Sequence, residues 1–553
     1  MSKMTRFTPD MINSYISKGY WGTQRTSDVW DRNAVMYGDK EALVDSNKRL
    51  TWAQVKKYSD RLALWMLRSG FKKDEAVVMQ LPNCVESFIV RLACEKAGVL
   101  CATAQMNFRH AEMEYVYQRL QAVGAIISLE SRGFSYFNMV NEIQRTTPSL
   151  RQITLIGDSV PSGVHSVEEI MQQPLEKEYP EDYLEKTKFD ATEIAVIALT
   201  SGTTGLPKIV EHPIVSRIAL ANLYARALKM NGDDVLSLIG NSILGGGAGM
   251  GYNGAAPLVG AKIVLLEAWD TEAALQLIEK ERATVAYAVP AHLLMMLRHP
   301  NLSKYNLSSL RRVHHGTSPL SYEMAQEVEE KFGTCLVPSY GSFDGGICTM
   351  ASVDDPAEVR WGTVGKPPFE NEVKVVDDEG KEVQQGEVGE VMLRGAITLS
   401  GYYQDLDATI SAWDCLGEDG WIKMGDLGRL DKSGNLTIVG RKKDVIIRGG
   451  QNIYPQEIEG MLLTHPKVAQ AAVVGMPDPV YGERACAYIA TKPGEQFDFD
   501  EMVSFLRKQN IASYKLPERL EIRDHLPTSE LGKVTKRSLQ EDVRRKLAAE
   551  AEA

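Results

Sequence analysis

Apolar positions along most of the chain alternate between two periods. In "LTWAQVKKYSDRLALWMLRSGF", Val55, Tyr58, Leu62 and Trp65 recur at helical spacing. Thr51 and Gln54 stand at capping-box spacing ahead of that run, and Gly70 follows where a left-handed residue ends a helix. The next run, "AVVMQL" (76–81), is continuously apolar and predicts a buried strand. "TEAALQLIEKERA" before "TVAYAV", and "SYEMAQEVEEKFG" before "TCLVPSY", repeat the order. Helices alternating with wholly apolar strands predict an α/β fold of largely parallel, helix-covered sheets.

The texture changes after about residue 425. "GDLGRLDKSGNLTIVGRKKDVIIRGG" reads as short strands joined by polar turns. "PQEIEGMLLTHP" is a short helix with Pro455 at its start, "VAQAAVVGM" and "RACAYIATK" are strands, and "DEMVSFLRKQN" is a helix. Roughly 110 residues of this pattern suit a separate small domain. The expected division is a large domain over residues 1–432 and a small, mobile α+β domain over 433–553, the boundary falling in the Gly, Asp, Lys and Ser cluster between Asp431 and Lys443.

A length of 553 residues fits more than one core. Hydrophobic residues at 44% and charged residues at 24% describe an ordinary globular chain. A net charge of −11 without a polybasic run argues against a nucleic-acid partner. The start, "MSKMTRFTPDM", lacks a secretory signal pattern, and no apolar stretch nears the roughly 20 residues of a membrane span. The seven Cys are dispersed without CxxC spacing, which suggests reduced thiols in a cytoplasmic protein. The His show no metal-ligand spacing, and the adjacent His314 and His315 would point to opposite faces of a strand.

Chemistry concentrates in "LTSGTTGLPK" (199–208). Gly202, Thr203, Thr204 and Gly205 can turn sharply and aim backbone N–H groups at an anion. Ser201 and the threonines add hydroxyl donors, and Lys208 adds a positive charge, so the loop suits a polyphosphate. It is not a Walker A loop, because Ile209 follows Lys208. A rival GxGxxG stands at Gly249, Gly251 and Gly254, with Glu267 ending "AKIVLLE". Its strand candidate "VLSLI" ends well before the first glycine, whereas a dinucleotide site needs strand, turn and helix in direct succession.

The order Thr200 to Lys208 resembles the phosphate loop of the adenylate-forming superfamily of acyl-CoA synthetases, luciferases and stand-alone adenylation enzymes. "HHGTSPL" (314–320), "SYGSFDGG" (339–346), "DGWIKMGDLG" (419–428), "GRKKDVIIRGGQNIYPQEIE" (440–459) and "LPTSELGKVTKR" (526–537) resemble further segments of that family, in its order. The resemblance implies that ATP and a carboxylate give an acyl-adenylate and pyrophosphate, after which a thiol displaces AMP. It places Ser201, Gly202, Thr203, Thr204, Gly205 and Lys208 on the ATP phosphates, and Gly316, Thr317, Tyr340 and Gly341 around the adenine. Asp426 and Arg441 would meet the ribose. Thr200 and Asp344 would serve Mg²⁺, and Lys533 would act on the carboxylate and α-phosphate. Lys443 would be the hinge, Gly449 and Gly450 would reach coenzyme A, and Asn241, Gly245, Gly246 and Gly247 would line the acyl pocket.

The chain departs from the family pattern at several points. Asp344 replaces the usual Glu, Met424 replaces a common Thr, and "IGNSILGGGAGMGYNG" (239–254) puts glycines where relatives carry bulk. "KGYW" (18–21) and "LPNCVESFIVRLA" resemble the aryl-acid-activating branch, which implies a small aromatic or alicyclic acid. No Asp near 239–245 offers a partner to an amino acid's ammonium group. The expected partners are ATP, CoA and a small carboxylate, with a homodimer left open. Four alternatives stay in play. They are a stand-alone enzyme loading a carrier protein, a medium-chain fatty acid ligase, a nicotinamide oxidoreductase and a non-catalytic nucleotide binder.

Overall fold

The computed structural model describes residues 2–157, 160–200, 206–239, 254–343, 345–413, 420–528 and 534–552. Two helix-covered sheets fill the first part of the chain. The seven-stranded sheet runs, edge to edge, Lys208–Pro213, Ile194–Thr200, Leu100–Thr103, Ala76–Gln80, Gly124–Ser128, Gln152–Ile156 and His165–Ser166. Every neighbouring pair is parallel except the first. Ala76–Gln80 and Gly124–Ser128 are buried at every residue, the condition under which parallel strands lose polar alternation.

The eight-stranded sheet has a parallel centre that includes Val235–Leu238, Val285–Ala288, Arg312–His315 and Cys335–Ser342. Its antiparallel edges are Gly346–Met350 and Arg49–Thr51. The helix read from apolar spacing spans Trp52–Arg68. The Thr51 hydroxyl accepts from Gln54 N while the Gln54 side chain accepts from Thr51 N, a device worth about 1 kcal/mol. Gly70 ends the helix at φ +82°, a conformation that costs glycine little. Trp52, Val55 and Leu62 are fully buried on the face that meets the sheet core.

A four-stranded antiparallel sheet follows: Asn371–Val376, Gly389–Gly395, Ile422–Leu430 and Leu436–Arg441. The residues Asp431–Asn435, whose composition reads as a linker, form a tight turn inside this sheet. Asp431 Oδ1 accepts from Ser433 N at 2.7 Å and from Asn435 N at 2.9 Å. The last unit is a five-stranded sheet built on Val468–Asp478 and Gly482–Thr491, with the helices Pro455–Leu463, Phe499–Lys508 and Lys536–Glu552. It has cores of its own around Ile453, Ile458 and Leu506, and around Tyr488 and Val543. The fold is therefore the expected mixed α/β one, with a large N-terminal domain and a small C-terminal domain. No helix among the described residues is long and apolar enough to cross a membrane.

Candidate functional site

The phosphate-loop candidate joins two antiparallel strands. Ile194–Thr200 lies parallel to Leu100–Thr103, and Lys208–Pro213 returns beside it with Thr200 opposite Lys208. The loop thus leaves the sheet at the carboxyl end of a parallel strand, where open α/β sheets bind ligands. Thr200 is half-buried at that end. Ser201, Gly202, Thr203, Thr204 and Gly205 lie outside the described residues.

Lys208 is held from the far side of the sheet edge. Its Nζ donates to the Tyr402 hydroxyl at 2.7 Å and lies 5.0 Å above that ring's centroid. Tyr402 is only 6% exposed because its segment runs along the Lys208–Pro213 strand. Val210 bridges Tyr402, Glu211 N donates to Gly401 O at 2.9 Å, and Tyr403 N donates to Ile209 O at 2.8 Å. Glu211 is buried there as a clamp. It accepts from Thr5 N at 2.9 Å, from the Thr5 hydroxyl at 2.6 Å, and from the Ser400 hydroxyl. Burial pushes its carboxyl above the ordinary range against these hydrogen bonds.

A hairpin from the other sheet reaches the same place. Cys335–Ser342 turns into Gly346–Met350, with Ser342 opposite Gly346. A Cβ on Gly341 would lie 2.2 Å from Gly346 O, so only glycine admits this crossing. Phe343 at the tip packs against Val196 and Ala198 of the loop's incoming strand and against Val210 and Tyr402. Asp344, next in the chain, lies outside the described residues.

Tyr340, Asp426 and Arg441, separate in sequence, meet. The Tyr340 hydroxyl donates to Asp426 Oδ2 at 2.5 Å, and Arg441 Nε lies 2.9 Å from Oδ1. Asp426 and Arg441 face each other across the Ile422–Leu430 and Leu436–Arg441 strands. Burial and the Asp426 carboxylate push the Tyr340 phenol well above its ordinary range. Asp426 is 5% exposed, while the Arg441 side chain is 46% exposed and open to a ligand.

The "HHGTSPL" segment borders this cluster through the next strand. His314 Nε2 and Ser339 Oγ are 2.8 Å apart, and the His314 ring stacks on Tyr287 at 5.2 Å. Both His314 and His315 are buried in the Arg312–His315 strand, and burial holds His315 down to about 4. A Cβ on Gly316 would sit 3.1 Å from Ser339 O. Thr317 adopts φ +74°, a left-handed conformation costing a non-glycine residue about 1–2 kcal/mol, and such strain concentrates at functional sites.

In the small domain, Lys443 lies exposed within the short turn Lys442–Asp444. Gly449 and Gly450, at φ +55° and +84°, form the two-residue turn between Ile446–Arg448 and Gln451–Ile453. Two positive φ values in a two-residue hairpin explain the paired glycines locally. A Cβ on Gly449 would also lie 3.2 Å from the Tyr481 ring. Thr528 bridges Val534, and Lys533, between them in sequence, lies outside the described residues. So do Asn241, Gly245, Gly246 and Gly247 of the expected acyl pocket, and Gly249 and Gly251 of the rival GxGxxG. Gly254 is described. A Cβ there would lie 2.7 Å from Ala221 Cβ, a packing reason for that glycine.

Sequence reading left out Tyr402, Phe343 and Ser339. The aromatic pair after Gly401 was the available signal for Tyr402. Nothing local marks Ser339 as the partner of a histidine on the neighbouring strand.

Comparison with known proteins fits this geometry. Residues 30–403 match the AMP-binding enzyme family, and residues 457–533 match the AMP-binding enzyme C-terminal domain. The medium-chain fatty-acid–CoA ligase of Escherichia coli (strain K12) is 32% identical over 541 residues, covering 97% of this chain and 93% of that one. The 2,3-dihydroxybenzoate-AMP ligase of Bacillus subtilis (strain 168) is 30% identical over 560 residues, covering 98% of each. Among solved structures, the anthranilate CoA ligase AuaEII in complex with anthranoyl-AMP superposes with a TM-score of 0.85 at 25% identity, over 95% of this chain and 98% of that one. With both family regions matched in order around the Tyr340–Asp426–Arg441 cluster, this chain belongs to the AMP-binding enzyme family.

Proposed function

We propose that the protein is an ATP-dependent, AMP-forming acid–CoA ligase whose substrate is a small aromatic or alicyclic carboxylate. The observation that carries the reading is the meeting of Tyr340, Asp426 and Arg441, with Tyr340 on the hairpin whose tip, Phe343, packs against the strands that bear Thr200 and Lys208. Asp426 accepts from the ribose hydroxyls and Arg441 donates to the same sugar. Tyr340, Gly341, Gly316 and Thr317 border the base. Lys208 and the loop from Ser201 to Gly205 hold the outer phosphates, where preorganised donors stabilise charge moving onto the leaving pyrophosphate. The carboxylate oxygen attacks the α-phosphorus and the bond to pyrophosphate breaks. The CoA sulfur then attacks the acyl carbon and AMP departs with its phosphate. Lys533 offsets charge in the first step.

Thr200 and Asp344 are the residues offered to Mg²⁺. A magnesium ion carried on a triphosphate keeps several waters and needs few protein oxygens, which suits one strand-end hydroxyl and one carboxylate. When bound it neutralises phosphate charge. Anchoring also supports Lys443 as the pivot. Lys442 is tied to Asp378 and Glu390 at 3.0 Å each, so Lys443 is the next residue free to turn. On this reading the small unit starts after Lys442, later than the composition break at 432, and swings Gly449 and Gly450 toward CoA.

The test is a pyrophosphate-release screen over benzoate, hydroxybenzoates, aminobenzoates, cyclohexane- and cyclohexenecarboxylates and linear acids, with and without CoA. A ring acid giving AMP and a CoA thioester supports the proposal. Adenylate without thioester favours a carrier-loading enzyme. A preference for hexanoate or longer chains overturns the ring substrate, and no AMP under any condition overturns the whole reading.

A further inference from the structure

Residues 2–7 carry no regular secondary structure, yet they join segments that are far apart in sequence. Ser2 O accepts from Ile194 N at 2.8 Å, and the Ser2 hydroxyl donates to Glu193 Oε1 at 2.7 Å, at the start of the strand that ends in Thr200. Thr5 donates to Glu211 on the returning strand through both its N–H and its hydroxyl, and the hydroxyl also lies 3.5 Å from Tyr402 O. Arg6 N donates to Ser400 O at 2.9 Å. The Arg6 guanidinium donates to Thr398 Oγ1 at 2.6 Å and to Leu399 O at 2.9 Å. Phe7 anchors the far end, edge-on to Trp21 at 5.1 Å.

The segment 398–402 has no helix or strand of its own and is held by isolated bridges and cross-contacts. It is nonetheless buried, with Thr398 and Ser400 fully so. A buried irregular segment must satisfy its backbone with partners outside itself, and residues 5 and 6 supply several of them. That same segment delivers the Tyr402 hydroxyl to Lys208 Nζ. Glu211 completes the junction. An apolar residue would be the ordinary choice in a strand buried at this position, and a carboxylate is costly there unless it is hydrogen-bonded. Its oxygens take the Thr5 and Ser400 hydroxyls and the Thr5 N–H, while its own N–H donates to Gly401 O. The carboxylate thereby sets the separation of three segments, one bearing Lys208 and another bearing the tyrosine that holds it. An apolar side chain would fill the space without setting that separation.

We propose that residues 2–6 are a strap that positions Lys208 for the outer phosphates of ATP, with Thr5 and Glu211 as positioning residues and Tyr402 as the link. The inference rests on the reading of Lys208 as a phosphate ligand and assigns the strap no contact with the nucleotide. Thr5 and Glu211 fix where segment 398–402 lies, that segment fixes the Tyr402 hydroxyl, and the hydroxyl fixes the lysine.

The test compares MgATP with AMP, because AMP lacks the outer phosphates. Isothermal titration on the full chain reads each Kd. Thr5→Val keeps the shape and the backbone donor and removes the hydroxyl. It should weaken MgATP about three- to tenfold, the scale of one lost hydrogen bond, and leave AMP within about twofold. Thr5→Ser, which keeps the hydroxyl, should restore MgATP affinity. Combined with Tyr402→Phe, Thr5→Val should add nothing to the loss that Tyr402→Phe causes alone, since both act through one contact. Equal weakening of MgATP and AMP overturns the proposal, because the strap would then serve the fold alone. Unchanged MgATP affinity in Thr5→Val, or additive losses in the double variant, overturn it too. If the unaltered protein binds no MgATP, the nucleotide reading itself falls and the strap falls with it.

Discussion

Asp426 stands opposite Arg441 across one pair of antiparallel strands, and its carboxylate is shared between that guanidinium and the Tyr340 hydroxyl. Backbone register therefore sets the spacing of the pair, and the phenol sets the rotamer. Asp426→Asn keeps the shape but removes the charge that orders both neighbours. Hydrogen bonds to charged groups are worth about 1.5–3 kcal/mol, so kcat/KM for ATP should fall roughly ten- to hundredfold. The melting temperature should change little, since Arg441 is half exposed. Steady-state kinetics at varied ATP decide it. An unchanged kcat/KM would remove Asp426 from the nucleotide site.

Tyr402 grips Lys208 through its hydroxyl and its ring together. Tyr402→Phe removes only the first. The lysine would lose orientation but keep its charge, so KM for ATP should rise by about three- to tenfold with kcat nearly unchanged, the signature of lost binding rather than lost chemistry. Tyr402→Leu should be worse, because it also removes the face that holds the cation, a contact worth about 0.5–2 kcal/mol. Pyrophosphate exchange at varied ATP separates the two variants. Equal values for both would mean that the ring contributes nothing.

The local part of this architecture was legible. Trp52–Arg68 carries its period, its capping box and its terminal glycine within one stretch of sequence, and each acts there. The Lys208–Pro213 strand was not read, because Glu211 and His212 break its apolar pattern. Glu211 tolerates burial only through Thr5 and Ser400, 206 and 189 residues away. Asp431–Asn435 shows the same limit, since a tight hairpin turn and a linker share one composition. The identities of Tyr340, Asp426 and Arg441 came from motif order. That they touch required two sheets to be laid side by side.

Buried histidines give the protein an acid limit. His212 and His315 are held neutral, down to about 3 and about 4, chiefly by burial. Unfolded histidine titrates near 6.5, so at lower pH the unfolded chain binds protons that the folded one refuses. The stabilisation is complete above about pH 6.5 and is lost as pH falls toward 4. Each residue forfeits about 2 kcal/mol between pH 6.5 and 5. Melting temperature should drop across that window, and His212→Leu should show a shallower slope whatever its absolute stability. Parallel slopes would mean that His212 is already charged in the fold.

Lys533 falls in sequence between Thr528 and Val534, which bridge each other, on the small unit that would turn about Lys443. A lysine that swings in for one step and out for the next affects the two half-reactions unequally. Lys533→Ala should lower acid-dependent pyrophosphate exchange by about 10²–10³, the usual cost of losing one charged group aimed at a transition state. The same variant, given pre-formed acyl-adenylate and CoA, should make thioester within a few-fold of the unaltered rate. Gly450→Ala supplies the mirror image. Its φ of +84° resists a side chain, so the turn distorts and thioester formation suffers more than adenylation. Equal losses in both halves for either variant would mean that one fixed arrangement serves both steps, and the turning of the small unit would have to be abandoned.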